Sequence, residues 1–188
     1  MVEFYSIKKA FYMNTFTPDV LISEEDLALR IEALGRAITE DFQGEEVVVI
    51  CVLKGAFLFC SDLVKKIQLP LKLEFVSASS YGDGMQSSGK LKLDLDLTGP
   101  IEGKNVIIVE DIIDSGLTIT SLVDMIKLRK PKTIKLASLL FKPSKVVHSI
   151  AIDYMGFEIE DKFVVGYGLD YAGRYRELPY VGVLNAGN

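Results

Sequence analysis

Two short apolar runs constrain this chain more than any other feature. Val47-Val48-Val49-Ile50-Cys51-Val52-Leu53 and Val106-Ile107-Ile108-Val109 carry no polar side chain at either parity. A strand that faces water on one side alternates apolar with polar residues, whereas a run apolar at every position is covered on both faces. Strands of that kind belong to mostly parallel sheets held between helices. Both runs end abruptly in polar, turn-forming sequence: Lys54-Gly55 after the first and Glu110-Asp111 after the second.

The surrounding pattern agrees with such a sheet. Ser23-Glu24-Glu25-Asp26 has the form of a capping box that opens a helix. Leu27, Ile31, Leu34 and Ile38 then fall on one helical face. Further stripes at Cys60, Leu63, Val64 and Ile67, and at Ile119, Leu122, Val123 and Ile126, predict a helix after each apolar run. Residues 133–140 read as a third buried strand. Residues 71–75 and 91–97 alternate, as half-exposed strands do. Between them, residues 77–90 are rich in Ser and Gly and lack an apolar period, which predicts a mobile loop of the kind that serves as a lid. Shorter apolar segments lie near 150–152, 157–159, 163–165 and 180–184. The expected fold is α/β, with a mostly parallel central sheet flanked by helices in one domain over residues 1–188.

Composition narrows the function classes. No apolar run approaches the roughly 18 residues of a membrane span, and the first 14 residues lack the pattern of a secretion signal. Cys51 and Cys60, the only cysteines, sit in apolar sequence and read as reduced core residues of a cytoplasmic protein. A net charge of −5 argues against nucleic acid as a partner, because phosphate-backbone binding needs a dense basic face. It leaves open phosphate binding by backbone amides.

Residues 106–118 concentrate the chemistry. A buried strand is expected to stop at Glu110-Asp111, leaving two carboxylates at its carboxyl end, with Asp114 three residues on. Ser115-Gly116-Leu117-Thr118 then turns into a helix whose first amides carry partial positive charge and suit a phosphate. Asp114 or Ser115 capping that helix is the plainer alternative. Acidic groups beside an anion cradle suit a ligand with both a diol and a phosphate.

The decapeptide Val109-Glu110-Asp111-Ile112-Ile113-Asp114-Ser115-Gly116-Leu117-Thr118 resembles the phosphoribosyl-pyrophosphate motif of the type I phosphoribosyltransferases, in the form found in their hypoxanthine-guanine branch. The resemblance extends from about Val47 to Leu184. It implies that Glu110 and Asp111 bind the ribose hydroxyls, directly or through Mg²⁺, and that Asp114 is the catalytic acceptor near purine N7. It also implies that Ser115, Gly116, Leu117 and Thr118 hold the 5′-phosphate; Leu117 stands where some relatives have lysine. Lys54-Gly55 resembles the pyrophosphate loop, with a cis Leu53–Lys54 peptide implied, and Ser80-Tyr81 matches the start of the mobile lid. Arg176 would contact pyrophosphate. Lys142 matches a lysine that donates to the purine O6, although alone it reads as a surface lysine. The segment from Asp161 to Tyr171 resembles the base-binding segment: Phe163 would stack on the purine, Val164 would meet its edge through the backbone, and Asp170 would hold a second Mg²⁺. By default Phe163 reads as a core residue. His148, the only histidine, lies outside these motifs and reads as structural or exposed.

The resemblance therefore implies a Mg²⁺-dependent transfer of phosphoribosyl from phosphoribosyl pyrophosphate to a 6-oxopurine base, hypoxanthine or guanine, by a homodimer or homotetramer. It also implies a core of about residues 20–150 and a base-binding hood from about 1–20 and 150–188. The alternatives are a xanthine-preferring enzyme, a non-catalytic regulator sensing phosphoribosyl pyrophosphate, and a structural module whose carboxylates only cap.

Overall fold

The two wholly apolar runs lie side by side in the middle of a six-stranded sheet. The computed structural model describes residues 17–80, 91–148 and 150–184. In chain order it contains β1 (Asp19–Ile22), α1 (Glu24–Asp41), β2 (Val47–Leu53), α2 (Phe57–Val64), β3 (Leu71–Ser80), β4 (Leu91–Leu95), β5 (Asn105–Ile113), α3 (Leu117–Lys127), β6 (Thr133–Phe141), a 3-10 turn (Pro143–Lys145), β7 (Tyr154–Glu158), β8 (Val164–Val165) and β9 (Val181–Val183). The large sheet has the order β4-β3-β2-β5-β6-β7, and only β4 pairs antiparallel. A small antiparallel sheet, β1-β9-β8, stands apart from it.

Burial on both faces explains why β2 cannot alternate. Val47, Val49 and Cys51 pack with Leu27, Ile31, Leu34 and Ile38 of α1 and with Phe59, Cys60 and Leu63 of α2. Val48, Ile50 and Val52 face the other core, with Ile119, Leu122 and Ile126 of α3. Each such side chain contributes roughly 1.5–3 kcal/mol by leaving water. Helix α1 starts where its box predicts: Ser23 Oγ accepts the Asp26 amide at 3.1 Å and donates to its carboxylate at 2.6 Å. Cys51 and Cys60 are buried and free. No helix among the described residues is long and apolar enough to cross a membrane.

Three expectations need correction. First, β5 does not stop at the acidic pair. Glu110 pairs with Ser138, and Ile112 and Ile113 pair with Leu140 and Phe141, so neighbouring β6 carries the strand on to Ile113. Second, β3 continues to Ser80, because Ser77 pairs with Leu53 on one side and residues 78–80 pair with β4 on the other. Backbone pairing overrides the weak strand preference of a serine-rich stretch. Residues 77–80 of the expected loop are thus strand, while residues 81–90, with Tyr81 and the rest of the expected lid, lie outside the described residues. Third, β4 ends at Leu95, where Asp96 Oδ1 takes the Leu97 amide at 2.7 Å.

The strand order also fixes where a ligand belongs. The chain leaves β2 towards β3 on one side and leaves β5 towards β6 on the other, so the winding reverses between β2 and β5. Parallel sheets bind ligands at such a reversal, beyond the carboxyl ends of the strands. Those ends carry Lys54-Gly55 and Glu110 to Thr118.

Candidate active site

Close backbone approach assembles this end of the sheet. The Leu53–Lys54 peptide is cis. A Cβ on Gly55 would collide with the Asp111 carboxylate, so the β2–α2 turn lies directly against the acidic pair, and only glycine leaves room. From the opposite side, a Cβ on Gly168 would collide with the Gly55 carbonyl oxygen. The segment between β8 and β9 therefore closes over the same turn.

Glu110 is 8% exposed and sits beside Asp111. The Asp111 amide donates to Glu110 Oε1 at 3.1 Å, and the Ile112 amide to Asp111 Oδ1 at 2.7 Å. Burial first, then the Asp111 charge, pushes the Glu110 carboxyl well above its usual range. A carboxyl in that state gains from a cation or a hydroxyl donor placed against it.

Beyond Ile113 the chain turns through Asp114 and Ser115 to Gly116, which has φ +82° and is the residue from which α3 opens. Ser115 meets the plainer alternative in part, since its Oγ accepts the Leu117 amide at 3.4 Å, a long bond to the first residue of the helix. The loop is also braced from outside: Val147 and His148 donate their amides to the Ser115 carbonyl at 3.1 and 3.3 Å. The His148 side chain is exposed. Glu110, Asp111, Asp114, Ser115, Gly116 and Thr118 line a cleft of about 240 Å³ at this helix start. Leu117 is 38% exposed. Ser80 ends β3, and Lys54 is exposed at the end of β2.

On the neighbouring strand end, the Lys142 amide donates to the Ile113 carbonyl at 3.0 Å, which seats Lys142 beside Asp114. Lys142 is buried, contrary to the surface reading. Its Nζ lies 4.0 Å from Asp114 Oδ2 and 3.5 Å from Asp161 Oδ1. Phe163 reverses its default reading in the other direction. It is 53% exposed and meets Tyr171 edge to face, with centroids 5.6 Å apart. Val164 is buried, and the Phe163 carbonyl accepts the Leu184 amide at 2.9 Å. Asp170 pairs with Arg176 at 2.6 Å and accepts the Gly173 amide at 2.8 Å, while Arg176 also donates to the Gly168 carbonyl.

The structure thus brings together the acidic pair, Asp114, the helix start, Gly55 and Lys142, and it links Asp170 to Arg176. Sequence reasoning missed the Asp161 contact to Lys142 and the seating of Gly168 on Gly55. It also missed the Tyr167 hydroxyl, which donates to Asp62 Oδ2 at 2.5 Å and ties the segment after β8 to α2. Burial first, then Asp62, raises that phenol's pKa. A larger cleft of about 560 Å³ lies nearby, between Leu27, Asp62, Lys66, Tyr167 and Glu177, and none of the expected site residues lines it. Among the described residues, no three His, Cys, Asp or Glu side chains converge on a metal position.

A glycine-opened helix start and an acidic pair thus meet at the winding reversal of a parallel sheet, the place where sheets of this class bind their ligands. The chain belongs to the phosphoribosyl transferase domain family, whose model matches residues 22–172. It is 50% identical over 165 residues to the hypoxanthine-guanine phosphoribosyltransferase of Bacillus subtilis (strain 168), covering 88% of this chain and 92% of that protein. It is 52% identical over 172 residues to the Bifunctional protein TilS/HprT of Listeria innocua; the match covers 92% of this chain but only 26% of that longer protein. A crystal structure of a hypoxanthine-guanine phosphoribosyltransferase from Bacillus anthracis superposes with a TM-score of 0.86 at 48% identity, over 89% of this chain and 98% of that one.

Proposed function

We propose that this chain transfers the 5-phosphoribosyl group of phosphoribosyl pyrophosphate to N9 of hypoxanthine or guanine, releasing pyrophosphate and the nucleoside 5′-monophosphate. The carrying observation is the buried Lys142 ammonium beside Asp114, next to the start of α3. A 6-oxopurine presents an acceptor at O6 and a proton-bearing nitrogen at N7 along one edge. A donor and an acceptor side by side match that edge.

The residues divide the work. Amides and hydroxyls of Ser115, Gly116, Leu117 and Thr118 hold the 5′-phosphate. Glu110 and Asp111 accept the ribose hydroxyls. Lys54, Gly55, Ser80, Tyr81 and Arg176 take the pyrophosphate. Phe163 stacks on the base, Val164 meets its edge through the backbone, and the Asp170 carbonyl meets the guanine amino group. N9 attacks C1′ as the C1′–oxygen bond to pyrophosphate breaks. Asp114 accepts the proton at N7, and nearby carboxylates stabilise the positive ribose.

Mg²⁺ fits the donor set: Glu110 and Asp111 are hard oxygen ligands, burial makes the Glu110 charge costly without a cation, and Mg²⁺ keeps most of its shell for water and substrate phosphates. It would neutralise and orient the leaving pyrophosphate. Asp170 would hold a second Mg²⁺, in competition with Arg176. The buried thiols support a cytoplasmic setting. Exposed Leu73, Phe75 and Leu95, on neighbouring strands of one sheet edge, support a homodimer or homotetramer, which light scattering of the purified protein decides.

A thermal-shift test follows from Glu110. Its folded pKa is raised, so the ionised form disfavours the folded state, and stability falls as pH climbs from the unfolded value towards the folded one. Glu110→Gln is therefore expected to raise the Tm of the ligand-free protein at pH 8 by roughly 2–4 °C, the equivalent of about 1 kcal/mol in a chain of this size. The same variant should lose most of the stabilisation that phosphoribosyl pyrophosphate with Mg²⁺ gives the wild type, which is about 2.7 kcal/mol at a hundred times Kd. A full ligand-induced shift in Glu110→Gln would remove Glu110 from the binding site.

A further inference from the structure

Lys142 has two carboxylates within reach, and its catalytic partner is the more distant one. Nζ lies 3.5 Å from Asp161 Oδ1 and 4.0 Å from Asp114 Oδ2. The second oxygen of Asp161 is not idle: Lys145 Nζ holds Oδ2 at 2.9 Å. Lys145 closes the 3-10 turn that follows Lys142, and its amide donates to the Lys142 carbonyl at 3.1 Å. Side chains and backbone therefore form one ring, from the Lys142 ammonium through Asp161 and Lys145 back to the Lys142 carbonyl. Asp161 has its own anchorage, because the Ile159 amide donates to the Phe141 carbonyl at 2.9 Å and keeps the end of β7 beside the end of β6.

We propose that Asp161, steadied by Lys145, is a positioning residue that holds the Lys142 ammonium off Asp114 so that the two can address O6 and N7 of the purine separately. The inference rests on the base-recognition roles given to Lys142 and Asp114 above. Opposite charges 4.0 Å apart attract. Without the nearer carboxylate, the flexible lysine head has only Asp114 to turn to among the groups described around it. A closed Lys142–Asp114 pair would spend the donor and the acceptor on each other, and the base would have to break it. Asp161 also lies two residues before Phe163, so the clamp links the hydrogen-bonding side of the base site to its stacking side. The Lys145 contact, against desolvation, holds the Asp161 carboxyl below its usual range, so the carboxylate stays charged at neutral pH. About half of each side chain is exposed, at 47% for Lys145 and 48% for Asp161. A pair that open adds little to folding, so its removal tests position rather than stability.

The test is steady-state kinetics of the purified full chain with hypoxanthine and phosphoribosyl pyrophosphate, comparing Asp161→Asn, Lys142→Met and the double variant with wild type. Asp161→Asn is expected to lower kcat/KM for hypoxanthine about 30–100-fold, as misplacement of a positioned group by about 1 Å does. KM for phosphoribosyl pyrophosphate should stay within about twofold. In the Lys142→Met background the same change should have no further effect, because Asp161 acts through that lysine. Lys145→Ala should give a smaller loss in the same direction. A full Asp161 effect in the Lys142→Met background, an equal rise in both KM values, or wild-type kinetics for Asp161→Asn would each overturn the positioning role. An inert wild type, or a fully active Lys142→Met, would instead reject the functional reading on which the role rests.

Discussion

Adenine is expected to be at least about 10⁴-fold poorer than hypoxanthine in kcat/KM, and Lys142→Met to cut the advantage of hypoxanthine by about 10–150-fold. An ammonium only donates, so it matches O6 of a 6-oxopurine and opposes the amino group of adenine. Lys142 is buried, with its head between two carboxylates. Opposed donors cannot turn to water there, and sites built on hydrogen bonds discriminate by about 10⁴–10⁵ for that reason. Losing a charged donor costs roughly 1.5–3 kcal/mol, so the variant should lose about 10–150-fold on hypoxanthine while adenine changes little. Stability should hardly move. Methionine keeps the buried stem volume, Asp161 retains Lys145, and the Asp114 side chain is 51% exposed and remains hydrated. Comparable wild-type use of the two bases would remove the O6 contact.

Asp114→Asn is expected to lower kcat by about 10²–10⁴-fold, the usual contribution of a positioned proton acceptor. An amide of the same shape still fills the loop between Ile113 and Gly116 but cannot take the N7 proton. The partly exposed side chain makes no capping bond to α3, so the Tm should stay within about 2 °C of wild type. KM for phosphoribosyl pyrophosphate should also hold, because the phosphate cradle consists of amides and hydroxyls downstream of Asp114. Near-normal turnover would mean that the purine proton leaves by another route.

The pattern of apolar residues reveals most of this fold because burial on two faces leaves no other arrangement for β2 and β5. The box at Ser23 and the stripes of α1 and α3 are equally legible, since capping and helical periodicity are local properties. What the pattern hides is set by partners distant in sequence. β5 runs past Glu110 because β6 pairs with it, and β3 runs to Ser80 because β2 and β4 flank it. Neither extension is written in the residues that extend.

The candidate site divides along the same line. Residues 110–118 are contiguous, so one strand end and one helix start place them together, as their order implies. Lys142 and Phe163 depend on packing: the end of β6 buries a lysine that alone resembles a surface residue, and the loop before β8 exposes a phenylalanine that alone resembles core. Asp161 is hidden for a related reason. Its partners Lys142 and Lys145 belong to the preceding strand and turn, and no spacing in the sequence announces the contact.

The most direct test is the initial rate of pyrophosphate release by the purified protein with phosphoribosyl pyrophosphate and Mg²⁺, run in parallel with hypoxanthine, guanine, xanthine and adenine. Release with hypoxanthine and guanine, matched mole for mole by nucleoside monophosphate, negligible with adenine and abolished by chelating the metal, is the expected result. Failure to turn over either hypoxanthine or guanine, or equal turnover of adenine, would contradict it.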